Sequence, residues 1–425
     1  MNRIATSMGE VKHLLNHTID NNFIMEEKHI RQPIAICLEA DAGIGKTSIV
    51  EQVAKERGMG FTKVSLHELD EAGDLCGWPQ QEYECQVAQI IKKQDGTTER
   101  KILPGTVWLN AKQLDTPNKG TAIRQTGRTR MSYAKPAWVP EYNENGNIFL
   151  LDDFGRCNQS LRQAVMELIL TGGYISWKLP KKTTIVLTSN PDNGEYDVAS
   201  QDPALRSRYM AYEISFDLAA WEKWAEGADV DGRCINFVDS YHNELFNADD
   251  EGNRICNPRS FVMFSDMISN IKDWDNPENL SFIQLIARGC FKDEGGKFAS
   301  MFGSFIRNKM HQLVQPKDIL LKKWDEIRPV LEDTLYDGNS YRSDIASLLE
   351  RRFTNYVGAW LSSDGKTPIA TVKDRIIDII EAKDKTGKKI FTQDMIFHMI
   401  KEITSDHKNQ TNKLLFEPKI AKILS

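Results

Sequence analysis

The stretch Ala40-Asp41-Ala42-Gly43-Ile44-Gly45-Lys46-Thr47 decides how the rest of the chain is read. An apolar run over 33–38 precedes it, and a helical pattern over 48–57, opened by Ser48, follows. Strand, glycine-rich loop, Gly-Lys-Thr and helix form the layout of a nucleotide-phosphate cradle. In such a cradle the backbone from Asp41 to Ser48 turns N–H groups and a helix N-terminus toward the phosphates. Lys46 would reach the β- and γ-phosphates, and the Thr47 hydroxyl would ligate Mg²⁺. The first glycine of the usual pattern is Ala40 here. Alanine is a mild change where φ stays below zero and a costly one where it does not.

The 425 residues suit two or three domains rather than one. A chain that is 40% hydrophobic and 27% charged has an ordinary globular composition. The net charge of −6 supplies no global attraction to nucleic acid or to a membrane surface. The apolar runs are far too short to span a bilayer, and Met1-Asn2-Arg3-Ile4 does not open a secretory signal. The 7 cysteines include no C-x-x-C pair, which argues against a zinc site or a disulfide framework. A reducing, cytoplasmic setting is the simplest expectation.

Outward from the cradle, helical spacing over about 8–30 precedes five short strand-like runs: 34–39, 61–66, 147–151, 184–189 and 210–215. Their nearly continuous apolar character suits a parallel sheet buried on both faces. Helical patterns at 48–57, 158–171 and 203–208 alternate with them, which predicts a doubly wound α/β domain over 1–215. Its ligand would lie at the C-terminal edge of the strands. An insertion over about 74–146 separates the second and third strands. Within it, 87–92 and 98–102 flank an Asp-Gly turn and predict a β-hairpin. Residues 118–130 read as a loop rich in Gly, Thr and Arg, and 174–177 as one arm of a second hairpin turning at 178–182. From Phe216 onward the pattern is helical: a small lid over 216–300, then a C-terminal helical region over 301–425. One helix is expected across 318–335, and Phe298, Met301, Phe302 and Phe305 read as core.

Ile148-Phe149-Leu150-Leu151-Asp152-Asp153 is a second phosphate-site signal, about a hundred residues after Lys46. Asp152 would hold Mg²⁺, largely through water. Asp153 stands where many ATPases use glutamate to orient or deprotonate the attacking water, and it is one methylene shorter. Asn190, in Thr188-Ser189-Asn190-Pro191, could hold that water or sense the γ-phosphate. Before the last strand, Arg208, with Arg206 as the alternative, could reach a neighbouring copy's γ-phosphate. Arg259 follows Asn257-Pro258 at the start of a lid helix and could fold back onto the nucleotide.

In this order, Gly-Lys-Thr, Asp74-Leu75-Cys76-Gly77-Trp78-Pro79, Leu151-Asp152-Asp153-Phe154-Gly155-Arg156, Ser189-Asn190-Pro191, Leu205-Arg206-Ser207-Arg208 and Asn257-Pro258-Arg259 resemble an AAA+ ATPase of the MoxR type. The resemblance covers roughly 30–275. It implies a P-loop sheet of five parallel strands in the order 5-1-4-3-2, with a helical lid. It also implies ATP and Mg²⁺ between the subunits of a homo-hexameric ring. The implied work is chaperone-like remodelling of a client protein, often beside a partner with a von Willebrand factor A-type domain. Departures are Ala40 for Gly, Asp153 for Glu, and Ser207-Arg208-Tyr209 where the family has Asp-Arg-Phe.

Two other classes stay open: a nucleotide-switched assembly scaffold with very low turnover, and a DNA-acting AAA+ motor. The near-neutral composition places the motor last; Arg124, Arg128, Arg130 and Lys135 could line a ring pore and grip acidic partners or a nucleic-acid backbone, but with aromatic stacking partners confined to Tyr133 and Trp138 a solvated loop is the plainer reading. Nucleic acid is therefore not favoured, and the absence of an Asn-Lys-x-Asp element favours ATP over GTP.

Overall fold

The computed structural model describes residues 6–29, 32–92, 98–115, 121–191, 206–248, 254–292, 296–337, 340–363, 369–384, 387–405 and 414–424. The chain divides into two compact units, Met1–Ser215 and Phe216–Ser425.

In the first unit, Ser7 opens α1 (Met8–Glu27) with a reciprocal capping box to Glu10. Buried Asn22 of α1 accepts from the Ile34 N–H at 2.7 Å and donates to the Ile34 carbonyl at 3.0 Å and to Thr184 at 3.2 Å. That side chain ties the lead-in helix to the sheet. β1 (Ala35–Glu39), β2 (Gly60–Ser65), β7 (Asn147–Asp152), β8 (Thr183–Ser189) and β9 (Tyr209–Glu213) pair in the order β2-β7-β8-β1-β9, all parallel. Counted as the first to fifth strands, this is 5-1-4-3-2. β1, β7 and β8, in the middle, are buried almost throughout, as their unbroken apolar runs require. β2 and β9 flank the sheet and are half-buried; Thr6 bridges the outer side of β9 at its end, its N–H donating to the Glu213 carbonyl at 2.8 Å. α2 (Lys46–Arg57) and α5 (Gln159–Thr171) cover the sheet, the latter capped by the Asn158 side chain. Leu161, Val165 and Leu168 of α5 are fully buried, each contributing about 2 kcal/mol of apolar burial.

Between β2 and β7 the chain forms α3 (Ala72–Cys76), β3 (Pro79–Lys92), β4 (Thr98–Ile102), β5 (Val107–Asn110), α4 (Ala111–Leu114) and β6 (Thr121–Tyr133). β3 runs antiparallel to β4, β5 and β6. The expected hairpin is present as β3 and β4; its turn, 93–97, lies outside the described residues. The stretch read as a loop over 118–130 is instead strand from Thr121 onward, and 118–120 lies outside the described residues. Its polar composition hid the strand, because most of β6 is exposed and alternates no apolar residues. Likewise, 174–177 is not a strand arm. It is itself the turn, closed by Tyr174 N–H to the Trp177 carbonyl at 2.8 Å, with both aromatic rings buried. Gly77, at φ 93°, lies where the insertion's two ends meet: a Cβ there would stand 1.9 Å from the Ala134 carbonyl oxygen. The Asp-Leu-x-Gly-x-Pro element is therefore a packing joint, with Leu75 buried, Gly77 giving room and Pro79 starting β3.

Among its described residues the second unit is mainly helical, with a two-residue-per-strand pair, Tyr336–Asp337 against Ser340–Tyr341, which departs from the expectation that strands stop at Phe216. The helix expected over 318–335 is two, Pro316–Leu321 and Trp324–Leu335, broken at Lys322 and Lys323 in extended conformation. One apolar cluster, from Trp221 to Ile306, is built on stacked phenylalanines, with Phe298, Phe302 and Phe305 buried and Met301 partly so. A second runs from Leu313 to Ile420. Charge is buried beside them. Fully buried Glu222 receives both nitrogens of the Arg351 fork, at 2.8 and 3.1 Å, and Arg351 also meets Asp239. Arg352, fully buried, binds Glu226 at 2.7 Å, Asn236 at 2.8 Å and Gln315 at 3.1 Å. No helix among the described residues is long and apolar enough to cross a membrane.

Candidate functional site

Parallel order sets the C-terminal ends of β1, β8 and β7 side by side, with β8 in the middle. β1 leads into the glycine loop, β7 ends on Asp152, and β8 ends on Ser189 before Asn190. The site is built on this edge.

Gly43 and Gly45 have φ of 82° and 102°, values that a side chain strongly disfavours. A Cβ on Gly45 would meet little, the nearest atom being Met8 Cε at 3.6 Å, so the backbone conformation and not space demands glycine. Gly45 is the N-cap of α2 and supplies no side-chain cap, and the first turn of α2 carries no acid. That helix end is suited to an anion. Ala40 is buried and is not among the positive-φ residues, so its methyl is tolerated. Its N–H donates to the Ser189 carbonyl at 3.2 Å and binds the loop to β8.

Lys46 is only 8% exposed. Its ammonium donates to the Ala40 carbonyl at 2.6 Å, the Asp41 carbonyl at 3.0 Å and Asn190 Oδ1 at 3.0 Å. The cradle lysine and the candidate sensor are thus in direct contact. Thr47 Oγ1 donates to Asp152 Oδ1 at 3.2 Å, and the buried Thr188 hydroxyl donates to the same oxygen. Lys63 Nζ, from β2, lies 2.7 Å from Asp152 Oδ2. Burial opposes the Asp152 charge, but hydrogen bonds from Lys63 and Thr188 outweigh it and hold the carboxyl below its ordinary value. A carboxylate and a hydroxyl side by side are hard oxygen donors of the kind Mg²⁺ takes. Among the described residues no cluster of three His, Cys, Asp or Glu is placed to hold a metal ion.

Asp153 stands just past β7 in a left-handed conformation, φ 57°. Its N–H donates to Thr188 Oγ1 at 3.1 Å, and its Oδ2 is 3.4 Å from His67 Nδ1. Thr188 therefore bonds the Asp152 carboxylate and the Asp153 backbone at once.

The arginines part company. Arg206 binds Glu39, the last residue of β1, with both terminal guanidinium nitrogens, Nη2 donating to Oε2 at 3.2 Å. Arg208 is half-buried on the turn leading into β9. Of the helix expected over 203–208, residues 203–205 lie outside the described residues. Arg259 belongs to the second unit, exposed in the first turn of the helix Pro258–Ile268, whose N-cap Asn257 forms a capping box with Ser260.

Lys63, His67, Thr188 and Glu39 were not singled out from sequence. A lysine inside a strand next to an acid-ending strand, and a buried threonine two residues before Asn190, are the signals that could have found two of them. Of the basic residues 124–135, Arg130 pairs with Glu82 at 2.7 Å and lies over the Trp108 ring at 4.5 Å, and Arg128 lies 3.9 Å from Glu84.

No protein-family model matches the chain, and no curated protein is similar to it. Among solved structures it is similar to a RuvB variant from Thermotoga maritima, at 12% identity over 65% of this chain and 68% of that one, TM-score 0.34. It is also similar to a Cytophaga hutchinsonii protein of inferred ATPase activity, at 12% identity over 83% of this chain and 80% of that one, TM-score 0.24. Likeness at this level bears on neither activity nor partners.

Proposed function

We propose that the chain is an AAA+ ATPase of MoxR-like type that binds ATP with Mg²⁺, hydrolyses it in a homo-hexameric ring and remodels or assembles a client protein. The observation that carries this reading is the convergence of three separate segments at the sheet edge, where consecutive Lys46 and Thr47 make two hydrogen-bonded pairs, with Asn190 and with Asp152. In this reading Lys46 leaves the loop carbonyls for the β- and γ-phosphates, and the α2 N-terminus receives the phosphate oxygens. Thr47 and Asp152 would hold the ion, and the chemistry it would supply there is charge neutralisation at the phosphates. Asp153 orients the attacking water, Asn190 senses the γ-phosphate, Arg208 of a second copy reaches the transferred group, and Arg259 couples the lid. A von Willebrand factor A-type partner and a cytoplasmic setting belong to the same proposal.

Calorimetry with Mg²⁺ and ATP tests it. Lys46→Ala should weaken binding by about 10- to 100-fold, the loss of a charge-assisted contact, and lower the melting temperature without nucleotide by a few degrees, because the Ala40, Asp41 and Asn190 oxygens lose their donor. No heat of binding in the wild-type protein would refute the reading.

One observation favours the second class, a nucleotide-switched scaffold with low turnover: Asp153 is the shorter acid and lies against His67. The DNA motor ranks last, because Arg128 and Arg130 already have acidic neighbours within their own sheet.

A further inference from the structure

Glu39 and Ala40 are consecutive, so whatever holds Glu39 holds the root of the glycine loop. Glu39 is clamped from both ends of β9. Its carbonyl accepts from the Ile214 N–H, just after β9, at 2.8 Å. Its carboxylate takes the two-pronged bond from Arg206, three residues before β9 begins. Between these clamps β9 and β1 pair in register from Ala35 with Tyr209 to Glu39 with Glu213. The Glu39 side chain is 12% exposed and that of Arg206 27%, so the pair is largely withdrawn from water, where a forked Arg–carboxylate bond is directional and strong. Ser207 alone separates Arg206 from Arg208.

We infer that Glu39 and Arg206 are positioning residues: their ion pair fastens the turn that bears Arg208 to the strand that bears the phosphate cradle. The inference rests on the ring reading above, in which Arg208 serves a second copy. It adds that the arginine offered to the neighbour is placed by the first copy's own cradle. A change in the loop on nucleotide binding, which must move Lys46 off the Ala40 carbonyl, is passed through Glu39 and Arg206 to Arg208. It also excludes Arg206 from the arginine-finger role, because its fork is spent within its own chain.

The experiment compares wild type, Arg206→Lys, Glu39→Gln and the swap Glu39→Arg/Arg206→Glu in the full-length protein. Binding of a fluorescent ATP analogue, steady-state turnover and melting temperature are the readouts. Lysine keeps the charge and loses the fork. The expected result for Arg206→Lys and Glu39→Gln is analogue affinity within about threefold of wild type, with turnover down by at least about tenfold, a split between binding and turnover. The swap should recover most of that turnover. Equal turnover in wild type and Arg206→Lys, with both binding the analogue, would overturn the inference and leave the ATPase reading standing. Loss of turnover that tracks a lower melting temperature and is not recovered by the swap would also overturn it. Failure of wild type to bind the analogue would overturn both together.

Discussion

At position 153 an aspartate holds a left-handed backbone, φ 57°, a conformation in which Asp is found far more often than glutamate. The shorter acid and the unusual turn therefore go together, and restoring the longer side chain tests what the position limits. Asp153→Glu should raise turnover by about tenfold if the reach of the carboxylate limits water activation, at a cost of about 1 kcal/mol in stability. An unchanged rate measured by phosphate release would assign the limit elsewhere. Ala40 has a different outcome: with negative φ and a bond to Ser189, the missing glycine leaves the loop's shape unaffected. Lys46, Thr47, Asp152 and Asp153 could be singled out as candidates in sequence because a phosphate site would require those residue types at that spacing. Lys63, His67 and Glu39 were not, since each acts through a partner far off in sequence that only strand pairing supplies.

At the scale of elements, the five core strands were legible because burial on both faces leaves unbroken apolar runs, and α2 and α5 because each starts at a recognisable place. The insertion was half-legible. β3 and β4 carry alternation and a turn, whereas β6 is mostly exposed and reads as loop. The joint at Gly77 belongs to this scale. Gly77→Ala would drive a methyl into the Ala134 carbonyl and force a residue at φ 93° out of its conformation. We expect a loss of about 2–3 kcal/mol, seen as a drop of several degrees in the melting temperature of the first unit. A variant that melts with wild type would show that the insertion's base yields without cost.

For the whole molecule, two units with separate cores mean that stability and chemistry can be perturbed apart. Burial pushes Glu222 up to about 7 from 4.5; Arg351 pulls it down, and Asp239, sharing that one arginine, adds to the rise. A carboxyl whose folded pKa is raised binds its proton more tightly in the native state, so this contribution is complete below about 4.5 and is lost as pH rises through about 7. Glu222→Gln, fixed in the neutral form, should therefore gain on wild type by on the order of 2 kcal/mol between pH 5 and pH 8, read from denaturant melts of both proteins. A difference that stays flat across that range would contradict the burial of an excess carboxylate. The sequence by itself determined the parallel α/β sheet, because two-faced burial imposes a local pattern, and it marked Lys46, Thr47, Asp152 and Asp153 as candidates by type and spacing. Only the tertiary structure decided which partners those residues take: Lys46 with Asn190, Asp152 with Lys63 and Thr188, and Arg206 with Glu39 rather than with a neighbour. The reason is physical: strand order brings together side chains up to 167 positions apart, and no local spacing encodes that distance.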